Sequence, residues 1–146
     1  MFADLIRRLT APEPEPLHEP DSRLALAALL VRVARSDDHY APAEVAQIDH
    51  QLSKRYDLPL AAAKALRGEA EILEAEAPDT VRFTRAIKDA VPHENRETVI
   101  EALWAVALAD GERDHDEDTQ LRLVASLLGV NDRDSALARQ RVAARD

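Results

Sequence analysis

Cysteine is absent from the 146 residues, so the chain can build neither a disulfide framework nor a thiolate metal or redox centre. Glycine occurs only three times and aromatic residues make up 3%. The first scarcity leaves no glycine-rich phosphate loop, and the second removes residues that strands favour. The longest wholly apolar run, residues 24–31, is closed by Arg32 and is far too short to cross a bilayer. Positive charge is also in deficit: 19 Lys and Arg against 28 Asp and Glu give a net charge of −9. That balance argues against the basic footprint needed for phosphate-backbone binding, so no nucleic-acid partner is expected. The N-terminus lacks a charged start followed by an apolar core and a small-residue cleavage site, which makes the expected location cytoplasmic.

What remains is rich in Ala, Leu, Arg and Glu, residues that lose little on entering a helix. The length is one domain's worth, and the expectation is a single all-α domain. Phe2, Leu5, Ile6 and Leu9 fall at helical spacing, and "APEPEPLHEP" follows, with four Pro among ten residues. Residues 1–20 therefore read as a short amphipathic helix on a stiff tether, with docking onto the body favoured over a free lever or membrane anchor. The body, 21–146, should begin with Asp21 or Ser22 as an N-cap. Further helices are expected over 42–56, from Pro59 to 76, and over 80–90, 93–109, 116–128 and 132–144, giving about seven in the body. Pro42 suits a first helical turn and Gly129 a C-cap.

Two segments align without a gap: "LLVRVARSDDHYAPAEVAQIDHQLS" from Leu29 and "ALWAVALADGERDHDEDTQLRLVAS" from Ala102. Leu30 meets Leu103, Val33 meets Val106, Ala34 meets Ala107, Asp37 meets Asp110, Glu44 meets Glu117 and Ile48 meets Leu121. Each copy is an apolar helix, an Asp, a turn and a Glu in the first turn of the next helix. A pseudo-twofold pair of helical hairpins is expected.

The second turn, "ALADGERDHDED", gathers six carboxylates around Arg113 and His115. It is not an EF-hand loop, because His115 stands where that loop needs Gly and Leu121 where it needs a bidentate Glu. Glu44 and Glu117 at the third helical position, with Ala41 and Asp114 at the caps, are explained by capping and the helix dipole alone. Asp37 and Asp110 are not, since each ends an apolar helix where the dipole disfavours a carboxylate. Hydration of an ordinary turn is the plain explanation, and the repetition raises the alternative: an oxygen-donor site for Ca²⁺, Mg²⁺ or Mn²⁺ built from Asp37, Glu44, Asp110 and Glu117, with Asp114 as a further ligand. The five His occupy unlike contexts and are expected at the surface; Trp104, at the repeat position of Val31, is expected in the core.

The duplicated apolar helix, Asp-Gly-type turn and downstream Glu in an all-helical chain resembles the tellurite-resistance TerB family, over roughly Ser22 to the C-terminus. One departure is Asp38, where the family pattern has a Gly like Gly111. The resemblance implies an all-helical fold related to a region of membrane-linked J-domain co-chaperones, and divalent-cation binding by the four acids Asp37, Glu44, Asp110 and Glu117. It also implies a role as a non-catalytic stress-response module with a protein partner, conceivably at the membrane periphery. The alternative is a metal-free adaptor that binds its partner through an apolar surface or the N-terminal segment. An enzyme using a metal-bound water ranks last.

Overall fold

A computed structural model describes residues 5–7, 19–36, 40–77, 79–109 and 115–145. After a helical stretch at 5–7, the chain forms α1 (Glu19–Ala34), α2 (Pro42–Tyr56), α3 (Leu60–Glu76) and α4 (Thr80–Ala90). A 3₁₀ turn at His93–Asn95 leads into α5 (Arg96–Ala107), followed by α6 (His115–Leu127) and α7 (Asp132–Ala144). No strand occurs among the described residues, as the shortage of aromatic and β-branched residues implied. No described helix is long and apolar enough to cross a membrane.

Helix boundaries follow the prolines and glycines. Pro42 occupies the first turn of α2 behind Ala41 as N-cap (φ −65°, ψ 145°), and Pro59 is the N-cap of α3. Gly129 adopts φ +82° after α6, with Val130 N–H donating to the Ala125 carbonyl (2.9 Å) and Gly129 N–H to that of Ser126 (3.0 Å), a Schellman closure. At the end of α2 the left-handed position falls to Asp57 (φ 52°), a residue type that tolerates it.

Several boundaries differ from expectation, most of them by a single residue; two helices differ by more. Helix α1 begins at Glu19 rather than being capped by Asp21 or Ser22, because Pro20 fits a first turn, where its missing N–H costs nothing. The fifth helix starts at Arg96 after the 3₁₀ turn and ends at Ala107 rather than 109.

Helix α1 is buried around its whole circumference: every residue from 24 to 34 except Arg32 is less than a tenth exposed. Helices α2 to α6 all contact it, and α3 covers it most extensively. Helix α5 is covered chiefly by α7 and packs on α1. The contacts form pairs: α1–α3 with α5–α7, α2–α3 with α6–α7, α1–α2 with α5–α6, and α2–α5 with α6–α1. The repeat is therefore a unit of three helices, and the aligned residues Leu30 and Leu103, Val33 and Val106, and Ile48 and Leu121 are all buried. Helix α4 links the units and lies against α1 and α6. Leu5 is 4% exposed and Ile6 packs on the core, so the N-terminal helical residues dock on the body.

Charged residues fasten α3 to the first hairpin. Arg32 of α1 donates from Nε to Glu74 Oε1 (3.2 Å) and from Nη2 to the Glu74 carbonyl (3.0 Å), while Arg35 Nη1 donates to Glu74 Oε2 (3.0 Å). The Arg32 guanidinium also lies 5.1 Å from the centre of the Phe83 ring on α4. Arg67 of α3 pairs with the buried Asp49 of α2 at 2.6 Å and with Glu71 at 3.2 Å.

Two glycines should respond in opposite senses to Ala. At Gly129 an added Cβ meets only ordinary contacts, Arg96 Nη1 at 3.5 Å and Lys88 Cε at 3.7 Å, so the cost is conformational. Gly129→Ala should lower stability by about 1–2 kcal/mol. At Gly68, inside α3, nothing lies within 4 Å, and Gly68→Ala should raise stability by about 0.5–1 kcal/mol. Urea unfolding of both variants checks the signs. In the same assay Arg67→Ala, which strands the Asp49 carboxylate, should cost about 2–3 kcal/mol, below the roughly 3–5 of a fully buried pair because a fifth of the Arg67 side chain is exposed. The double variant Asp49→Leu/Arg67→Leu should lose less than Arg67→Ala alone.

Candidate functional site

The first turn begins where α1 is closed by bonds from Arg35 N–H to the Val31 carbonyl (2.9 Å) and from Ser36 N–H and Oγ to that of Val33 (3.2 and 2.7 Å). Asp37 lies outside the described residues, as do Asp38 and His39. The chain resumes at Tyr40, whose ring faces the Arg35 guanidinium at 4.9 Å. Burial, followed by the Glu71 carboxylate beside it, pushes the Tyr40 phenol well above its ordinary range. Tyr40 thus rests against α3 through the same residues, Arg35 and Glu71, that belong to the charged fastening of that helix.

Glu44, the third residue of α2, is fully buried, and its Oε1 accepts the Ala41 N–H at 3.3 Å. This is the reciprocal half of a capping box; Ala41 has no side-chain acceptor to supply the other half. The capping role expected of Glu44 is therefore present. A carboxylate can accept about four hydrogen bonds, so capping does not exhaust its ligand capacity.

The second turn begins after α5, closed by Leu108 N–H to the Trp104 carbonyl (2.9 Å) and Ala109 N–H to that of Val106 (3.2 Å). Asp110 and Asp114 lie outside the described residues. Helix α6 starts at His115, which makes Glu117 its third residue, the counterpart of Glu44; the Glu117 side chain is outside the described set. Among the described residues no group of three or more His, Asp or Glu is arranged to hold a metal.

The relation between the two turns can be read from their flanks. Helix α2 runs antiparallel to α5: Arg55 Nη1, near the end of α2, donates to Thr98 Oγ1, near the start of α5, at 3.1 Å. At the other end, Gln47 of α2 and Leu108 and Ala109 beyond α5 line one groove of about 370 Å³. The start of α2 and the end of α5 therefore lie at the same end of the molecule.

That groove is the feature sequence reading missed. His50, expected only as a surface residue, lines it together with Lys54 and Gln51, and the one available signal was their spacing on a single face of α2. Trp104 is in the core as expected, its Nε1 donating to Ser135 Oγ of α7 at 3.1 Å.

No curated protein and no solved structure matches the chain significantly. The family described as "Tellurite resistance protein TerB" matches residues 23–140, which span both three-helix units and the linking α4. With that match over most of its length, the chain belongs to the TerB family.

Proposed function

We propose that the chain is a non-catalytic TerB-like interaction module, cytoplasmic, in which a divalent cation draws the two turns together and sets the shape of a partner-binding surface. The ligands would be Asp37, Glu44, Asp110 and Glu117, with Asp114 as a fifth, and hard oxygen donors of this kind suit Ca²⁺, Mg²⁺ or Mn²⁺. The observation that carries the reading is the antiparallel pairing of α2 with α5. It brings the buried Glu44 carboxylate to the end of the molecule at which α5 terminates.

Electrostatics supports the same reading. The two arginines at the end of α1, Arg32 and Arg35, are both committed to Glu74. The last turn of α5 carries no basic residue. Carboxylates that follow a helix end in sequence meet the negative pole of its dipole. A divalent ion would relieve that repulsion, and its loss would let the turns separate. The module would thus switch by charge relief rather than by chemistry at the ion.

Thermal unfolding in Ca²⁺, Mg²⁺, Mn²⁺ and Zn²⁺ tests this. One of the oxygen-preferring ions should raise the midpoint of the wild type, by about 2.7 kcal/mol of stability at a hundred times its dissociation constant. The variant Asp37→Asn/Asp110→Asn should not respond. If no ion raises the wild-type midpoint and the variant is the more stable protein, the turns are solvated and the metal-free adaptor takes the lead.

A further inference from the structure

Helix α3 is apolar on two opposite faces. Its inner face, with Ala63, Ala70 and Leu73, is buried against α1 and α2. On the far side Ala61, Ala65, Gly68, Ile72 and Ala75 recur at alternating intervals of four and three residues, the spacing of a seam between two helices. Four of the five are exposed, Ile72 by 50%, and Gly68 is partly buried. A helix at the surface of a monomer needs one apolar face, and a second one calls for a second cover. Gly68 points the same way. A Cβ there would meet nothing within 4 Å, so the chain itself does not require a glycine that weakens its own helix, whereas close approach of another backbone does.

From this seam we propose that α3 pairs with α3 of a second copy of the chain, antiparallel about a twofold axis. Size and charge select both the occupant and its direction. With the axis midway between Ala65 and Gly68, Ile72 of each copy faces Ala61 of the other and Ala65 faces Gly68, so the one bulky residue of the stripe always meets a small one. Beside the stripe the same register sets Lys64 of each copy against Glu71 of the other. Lys64 makes no ion pair among the described residues. Glu71 accepts from Arg67 at 3.2 Å, yet its side chain stays a quarter exposed, and a carboxylate has lone pairs for a further donor. A parallel copy would bring Lys64 to Glu69, but it would also set Glu71 against Glu76 and Ile72 against Ile72.

A helix of 17 residues is about 25 Å long, so one such pair makes a small interface and a weak dimer, populated at high protein concentration. The inference goes beyond the cation reading and stands without it.

The test is sedimentation equilibrium of the full chain, from about 10 µM to 1 mM, in EDTA so that its outcome is separate from that of the ion experiment. A reversible equilibrium between monomer and dimer is expected. Lys64→Glu, which makes both charge pairs repulsive, should weaken the dimer about tenfold. Gly68→Glu, which puts a carboxylate beside the axis, should leave a monomer whose circular dichroism remains that of the folded protein. Because the chain has no Cys of its own, direction is read by oxidising single-Cys variants. A mixture of Ala61→Cys and Ile72→Cys should form the mixed disulfide, while Ala61→Cys alone should not, its two copies lying roughly 16 Å apart along the seam. A chain monomeric throughout, a dimer that either charge substitution leaves intact, or the reverse disulfide pattern would each overturn the proposal. In the first case, amide NMR shifts at residues 8–18 caused by Gly68→Glu would name the chain's own N-terminal segment as the occupant.

Discussion

A helix that is apolar around its entire circumference can exist in water only if every side of it is covered, and α1 is such a helix. Covering it takes five other helices. The repeat supplies four of them, α2, α3, α5 and α6, and the linking α4 is the fifth. The low aromatic content fits this plan. A core of Leu, Val, Ile and Ala lets helices approach closely, and the bulky exceptions, Phe83 and Trp104, sit where α4 and α7 close over the central pair.

The two units reach the same packing with opposite charges. On α1 the cation Arg32 reaches out to Glu74 of α3. On α5 the anion Glu101 receives Arg141 from α7 and Arg145 just beyond it. This reversal explains why the copies share so few residues outside their apolar stripe: what is kept is the burial pattern, while the fastening of the third helix was solved separately in each.

Much of this was legible in the sequence. Pro42, Pro59 and Gly129 marked helix ends because each has a local stereochemical preference that tertiary structure seldom overrides. The repeat was visible because its members, such as Val33 with Val106 on the central helices and Ile48 with Leu121 on their hairpin partners, must be apolar to enter the shared core. The start of α1 was misplaced because Asp21 and Ser22 are good caps, and a proline tolerated inside the first turn looks the same in sequence as one that stops a helix. Glu44 was read correctly as a cap, but its complete burial depends on neighbours distant in sequence. The groove was invisible for a related reason. It is lined by α2, by α5 and the residues just beyond it, and by the end of α7, elements distant from one another in sequence.

Glu44 shows how capping and ligation bear on one another. A carboxylate at the third position of a helix is stabilised by the positive pole and by the cap N–H, which lowers the cost of keeping it charged while buried. The same arrangement leaves a carboxyl side chain fixed in place at the end of the molecule where α5 stops. A flexible surface Glu would have to surrender side-chain entropy to bind an ion; Glu44 has surrendered it on folding. The capping role and the proposed ligand role therefore do not compete. In the proposed site the cap would prepare one ligand in advance, and the coupling of Tyr40 to α3 through Arg35 and Glu71 would give a change in the first turn a packed route into the body of the fold.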